Sequence, residues 1–256
     1  MASLTFDIHN LIRELNRRDM GFLCHAFQEL GFREGKQVLQ NLRSLQQKAL
    51  LSDHLENIVR LALDSPNPDL AMINLERVTF LLEDKTLVSL QKEGHLEALV
   101  IVCGGSPVLV NLLVKEPSHA DWLFVHGALN LKEVEEGFFQ ELREEVAGVQ
   151  DFKNLCILLR RFRHREVLRI GMRDMAGLAD LEETMEGLSN LAAACLQGAY
   201  EFCLRSLINE YGLPRRIETN GTEQEGEFVV IGLGKLGGWE LNFSSDIDLL
   251  YIYSSD

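Results

Sequence analysis

The chain has 256 residues, enough for one large domain or two small ones, and its 46% hydrophobic content supports a buried core. A formal net charge of −14 excludes the broad basic footprint that general nucleic-acid binding requires, though not a nucleotide site built from local donors and a metal ion. Five scattered cysteines without a Cys-x-x-Cys pair signal neither a zinc ribbon nor a disulfide framework.

At the N-terminus, Asp7, His9 and Arg13 stand where a signal peptide would be apolar. From Phe6 to about Tyr211, Leu, Ala, Glu, Gln and Arg dominate and apolar residues recur every three or four positions, which predicts helices almost throughout. The expected helices cover 7–17, 20–30, 35–50, 53–64, 68–84, 86–103, 106–115, 117–124, 130–147, 151–172 and 178–211. Ser65-Pro66-Asn67-Pro68 marks a turn between two of them. The most apolar stretch, Leu96 to Val114, is broken by Glu97 and by Gly104-Gly105-Ser106-Pro107. No uncharged run reaches the roughly 20 residues that span a bilayer, so the chain reads as a cytoplasmic protein without a membrane partner. Asp180 with Glu183 forms a capping-box pattern that can start the last long helix at 180, and Gly212-Leu213-Pro214 stops it. No fixed repeat period is present, so a helical bundle is expected over 1–214 rather than a solenoid.

Arg160, Arg161, Arg163, Arg165, Arg169 and Arg173 cluster on one predicted helix, and the four at 161, 165, 169 and 173 share a face. Such a stripe either faces an anionic site or protein substrate, or pairs with acids such as Glu144, Glu145 and Glu182 on neighbouring helices. His25, His95, His126 and His164 show no ligand spacing.

Residues 215–226 are polar and contain glycine, which reads as a linker or an exposed hairpin. After them come the first β-branched and aromatic runs, Phe228–Ile231 and Ile247–Tyr253, predicted as strands. Between them, Gly232-Leu-Gly234-Lys-Leu-Gly237 matches the G-x-G-x-x-G dinucleotide pattern. Only Gly238 to Ser245 separates it from the aspartates, too short for a Rossmann crossover helix. A Walker A loop fails because Leu236, not Ser or Thr, follows Lys235.

What remains is a strand, a glycine turn, a short helix, and Asp246-x-Asp248 opening the next strand. Alternation along a strand puts Asp246 and Asp248 on one face. Two neighbouring carboxylates repel unless a cation lies between them, which points to a hard divalent ion, Mg²⁺. A glycine turn beside them can offer backbone N–H groups to phosphate. The combination indicates metal-assisted phosphoryl or nucleotidyl chemistry, with Gly234, Gly237 and Gly238 allowing close backbone approach. Ser245 is a hydroxyl donor, and Lys235 is either a positive charge for the site or a solvated lysine. Glu240 and Asn242 read as structural caps rather than chemistry.

This arrangement resembles the nucleotidyltransferase fold of the DNA polymerase β type. Gly234-Lys235-Leu236-Gly237-Gly238, Glu240-Leu241-Asn242 and Ser244-Ser245-Asp246-Ile247-Asp248-Leu249 further resemble the signature of the glutamine synthetase adenylyltransferase/adenylyl-removing enzyme family. Asn74-Leu75-Glu76-Arg77, Leu159-Arg160-Arg161-Phe162-Arg163, Arg165-Glu166, Leu168-Arg169-Ile170 and Arg173-Asp174 support it, so the resemblance runs from about residue 70 to the end. It implies a mainly α fold, a helical bundle followed by the first strands of an α/β nucleotidyltransferase domain over 227–256. That domain is expected to be incomplete here, with a third carboxylate on a later strand and the chain alone inactive. The resemblance also implies the family's N-terminal copy, which removes AMP from a tyrosine of glutamine synthetase with orthophosphate, releasing ADP. Asp246 and Asp248 would bind Mg²⁺, and Gly234, Lys235, Gly237, Gly238 and Ser245 the nucleotide. A PII-type regulatory protein is the other implied partner. The alternatives are a non-catalytic helical docking module and adenylylation from ATP.

Overall fold

The computed structural model describes residues 6–132, 135–217 and 221–254. The chain is mostly helical and divides into two compact units, one of residues up to Leu131 with Gly171–Ala179, the other of Lys132–Ile170 with Asp180 onward. The helical region expected over 1–214 is thus apportioned between both units, and the second unit groups long helices with the strands.

In the first unit the helices are α1 (Ile8–Arg13), α2 (Met20–Leu30), α3 (Gly35–Gln46), α4 (Ala49–Ser52), α5 (Leu55–Asp64), α6 (Pro68–Thr79), α7 (Asp84–Ser89), α8 (His95–Gly105), α9 (Pro107–Lys115) and α10 (Ser118–Ala120). A five-residue π-helix, Asp121–Val125, and a 3₁₀ turn, Ala128–Asn130, complete it. Local chemistry fixes the starts. The Asn67 side chain accepts from the Leu70 N–H at 3.1 Å and Pro68 occupies the first turn of α6, while Ser106 and Pro107 do the same for α9. Fully buried Phe27, Leu42, Ile58, Met72 and Phe124 contribute to the core.

Several expected helices are shorter than the periodicity suggests, among them 7–17, which ends at Arg13. The run 35–50 breaks at Gln47–Lys48 into α3 and α4, and 68–84 ends at Thr79, whose hydroxyl donates back to Leu75 O at 2.7 Å. The run 86–103 becomes α7 and α8, because Gly94 takes a left-handed φ of +78° that no helix interior holds. Buried Leu90 and Leu96 keep the apolar rhythm across that break and hide it from periodicity.

Asn74-Leu75-Glu76-Arg77 on α6 braces this unit. Asn74 Nδ2 donates to Cys103 O on α8 at 2.8 Å, Glu76 accepts from Asn41 on α3, and Arg77 donates to Asn111 on α9 at 3.2 Å. Close packing explains Gly104 as well, since a Cβ there would strike the Ser65 hydroxyl. Among the described residues no single helix is long and apolar enough to cross a membrane, and α8 and α9 bend by 115° at Ser106.

The second unit contains α11 (Glu135–Ala147), α12 (Phe152–Met175, to Ile170), α13 (Leu181–Tyr211), β1 (Arg215–Ile217), β2 (Glu223–Glu225), β3 (Phe228–Leu233), α14 (Gly234–Gly237) and β4 (Asp248–Tyr253). Asp180 caps α13 by accepting from the Glu183 N–H at 2.8 Å, and Gly212 ends it at φ +83°. β1 and β2 form a small antiparallel hairpin, the hairpin alternative for 215–226. Phe138, Phe162, Leu188 and Leu191 make the helical core, and Leu236 and Leu241 from the glycine turn are buried in it.

Two arginines of the stripe, Arg165 and Arg169, take the pairing alternative, with Glu141 and Glu166 as partners. Arg169 Nε donates to buried Glu166 at 2.8 Å, and Arg165 lies 2.8 Å from both Glu166 and Glu141. Burial disfavours the Arg165 charge, but those two carboxylates outweigh it and hold its pKa above the ordinary value. In the first unit, Arg173 donates to Leu129 O at 2.7 Å and Leu178 O at 3.1 Å.

Candidate functional site

The strand, turn and strand expected after residue 226 are present. β3 and β4 pair antiparallel from Phe228↔Tyr253 to Leu233↔Asp248, closed at the far end by a Ser254 N–H bond to Glu227 O at 2.9 Å. Apolar side chains are exposed on both faces of this pair, Val229, Ile231, Leu250 and Ile252 on one and Phe228, Tyr251 and Tyr253 on the other. The strand pair runs straight into the single turn of α14. Leu236 anchors that turn in the helical core, and Leu241 anchors the chain on its far side. The Leu241 N–H donates to the buried Ser189 hydroxyl of α13 at 3.3 Å, which in turn donates to Met185 O. The segment 237–240 is therefore held between two buried leucines, and the loop to the aspartates starts from the second.

The glycines separate by role. Gly234 has φ +54°, a left-handed conformation that disfavours any side chain, and a Cβ there would lie 3.9 Å from Asp248 Oδ2. At Gly237 a Cβ would lie 2.6 Å from Gly232 O, so the turn's own packing on β3 requires glycine. A Cβ at Gly238 would make only ordinary van der Waals contact, its nearest neighbours being 3.6 Å away. Trp239 carries a positive φ of 59°, the next sign of a tightly wound turn.

Asp248 is the first residue of β4 and sits across from Leu233, beside the glycine turn. Asp246 precedes the strand, so strand alternation does not set its direction; both carboxylates are exposed at the same end of β4. Lys235 is exposed on α14. The Ser245 hydroxyl donates to Asn242 Oδ1 at 2.9 Å, and that oxygen also accepts from the Ser244 N–H at 3.1 Å. Asn242 thus holds the loop, in keeping with its structural reading, and the Ser245 proton is engaged within the loop. Among the described residues no group of three or more His, Cys, Asp or Glu is arranged around a common point. The carboxylates at this end of β4, Asp246 and Asp248, are the groups that could hold a divalent ion.

Asp246, Ser245 and Asn242 also line a cavity of about 480 Å³ in the second unit, with Arg163 of α12 on its wall. Sequence spacing gave no sign of this meeting, because Arg163 lies far from the aspartates along the chain and off the four-residue stripe.

A family model described as glutamate-ammonia ligase adenylyltransferase matches residues 96–256, more than half of the chain. The chain belongs to this adenylyltransferase family. The match includes the α12 arginines and the whole strand-turn-strand, and starts after Asn74–Arg77. The family's activity is adenylyl transfer on glutamate-ammonia ligase, which is glutamine synthetase.

Proposed function

We propose that the strand-turn-strand of this chain is the nucleotidyl-transfer site for removing AMP from the adenylylated tyrosine of glutamine synthetase. The observation that carries this reading is the Leu233↔Asp248 register, which sets a carboxylate against the left-handed Gly234 turn. On this reading the strand-turn-strand belongs to a polymerase β-type nucleotidyltransferase fold on a helical base.

Asp246 and Asp248 would hold Mg²⁺, which would supply positive charge against the phosphate oxygens. Gly234 and Gly238 keep the turn free of side chains where phosphate approaches the backbone, Lys235 adds positive charge, and Ser245 adds a hydroxyl once released from Asn242. An oxygen of orthophosphate forms a bond to the AMP phosphorus in line with the tyrosine oxygen. The phosphorus–tyrosine bond breaks, the phenolate takes a proton, and ADP departs from restored tyrosine. The helices supply surface for glutamine synthetase and for a PII-type regulator.

The test is ADP formation from adenylylated glutamine synthetase and orthophosphate, by the longest native polypeptide that carries this sequence. Asp246→Asn and Asp248→Asn should each lower turnover at least about a hundredfold, since a metal ion contributes several kcal/mol of charge stabilisation. Turnover within a few-fold of the parent overturns the assignment. Product from ATP and unmodified glutamine synthetase, with none from orthophosphate, reverses the direction.

A further inference from the structure

The cavity beside Asp246 has a divided lining. Its floor is apolar, with Leu159, Val167, Leu188, Leu191 and Phe243 among the residues that form it. Its polar groups are Arg163 from the helix and Asn242, Ser245 and Asp246 from the loop, with Cys195 in the floor. At about 480 Å³ it falls within the roughly 300–1,000 Å³ typical of small-molecule sites.

Arg163 differs from its neighbours on α12. Arg165 and Arg169 are neutralised by Glu141 and Glu166. Among the described residues Arg163 forms no ion pair and is exposed. It is also the cationic residue of the cavity lining. Its charge reaches the floor: burial pushes the Cys195 thiol up to about 11, Arg163 acts in the opposite direction, and Glu166 adds to the rise. In a chain of net charge −14, a guanidinium without a carboxylate partner on the wall of an apolar cavity is a place for an anionic ligand with a flat apolar body.

We propose that Arg163 is the phosphate-binding residue of this cavity, holding a nucleoside phosphate whose base lies on the apolar floor and whose phosphate extends toward Asp246. The assignment rests on the nucleotidyl-transfer reading for the position of the metal. It adds a residue from the helical base to a site otherwise built from the loop. Asp246 repels a bare phosphate, so binding also requires Mg²⁺.

Calorimetric titration of the 256-residue chain with AMP and with adenosine, each with and without Mg²⁺, tests it. A charge-assisted pair predicts that AMP with Mg²⁺ binds at least about tenfold more tightly than adenosine. Arg163→Gln should bring AMP to the adenosine level and leave adenosine unchanged, Arg163→Lys should recover part of the loss, and Arg160→Gln, an exposed neighbour, should have no effect. An Arg163→Gln chain that keeps the AMP preference overturns the proposal, as does an equal loss in Arg160→Gln or the absence of any AMP preference in the parent. If Arg163→Gln binds AMP normally while Asp248→Asn abolishes transfer, only the Arg163 assignment falls. If AMP binding depends on Arg163 while Asp248→Asn turns over normally, only the transfer reading falls.

Discussion

Replacing Glu166 by Gln isolates the charge at the centre of the α12 network. Glu166 is 2% exposed; its Oε2 accepts from Arg169 Nε at 2.8 Å and its Oε1 from Arg165 Nε at 3.0 Å. Removing one partner of a buried ion pair costs about 3–5 kcal/mol because the other charge is left uncompensated. Two features of the structure place this case at the lower end. Arg165 keeps Glu141 at 2.8 Å, so its charge is not left uncompensated when Glu166 is neutralised. Arg169 stays over the Phe138 ring, 5.7 Å from its centroid, and glutamine retains one acceptor oxygen. The expected loss is therefore about 3 kcal/mol, read from urea unfolding followed by far-ultraviolet circular dichroism. Adding Arg169→Met to Glu166→Gln removes the orphaned charge and should restore part of the stability. A loss below about 1 kcal/mol for Glu166→Gln, or a double variant worse than the single changes combined, refutes the view that charge compensation fixes this pair.

The glycine turn gives a paired test: Gly237→Ala forces a Cβ to 2.6 Å from Gly232 O and should lower both stability and turnover, whereas Gly238→Ala, with 3.6 Å of room, should leave the melting temperature unchanged. If Gly238→Ala keeps its stability and also turns over fully, Gly238 has no part in phosphate approach. Buried His95 lies 2.9 Å from Ser89 O, and burial depresses its pKa below the ordinary 6.5, with the Ser89 carbonyl opposing and Lys92 reinforcing. The unfolded chain then binds the proton more readily, so stability holds above pH 6.5 and declines as pH falls below it. His95→Gln should flatten that decline in urea titrations at a series of pH values, and an unchanged slope contradicts the assignment. Alkylation followed by mass spectrometry at about pH 8 should modify exposed Cys203 well before Cys195, whose thiol burial pushes up to about 11, and before fully buried Cys103. Labelling of Cys195 at the rate of Cys203 would show that the α13 face opens readily.

Much of the helical order was legible because its signals are local. Asn67-Pro68, Ser106-Pro107 and Asp180 with Glu183 each place a side-chain acceptor or a fixed φ at a helix start, and each start lies within a few residues of its expected position. The break at Gly94 was not legible, because glycine alone does not announce a left-handed φ and the apolar rhythm continues past it. Nor was the π-helix of Asp121–Val125, which depends on contacts from α7: Ser89 donates to Phe124 O, and Thr86 and Lys85 bond Asp121. At the site, the glycine turn and the aspartates could be read as a contiguous string. The partners of the arginines could not, since Glu141 is brought to Arg165 by packing of α11 and Glu166 pairs with neighbours on its own helix. The anchoring of the turn by Ser189, Leu236 and Leu241, and the placing of Arg163 and Asp246 on one cavity, likewise exist only in three dimensions.

The chain has two tryptophans, and the two compact units hold one each: Trp122 in the π-helix of the first and Trp239 at the end of the glycine turn of the second. Intrinsic fluorescence therefore contains two separable signals. With Trp122→Phe, emission reports the second unit alone, from a half-exposed indole seated one residue before Glu240 in the loop that carries the aspartates. A shift in that emission on adding Mg²⁺ or AMP would register events at the turn, and its unfolding midpoint, set against that of the Trp239→Phe chain, would show whether the two units melt together or in turn.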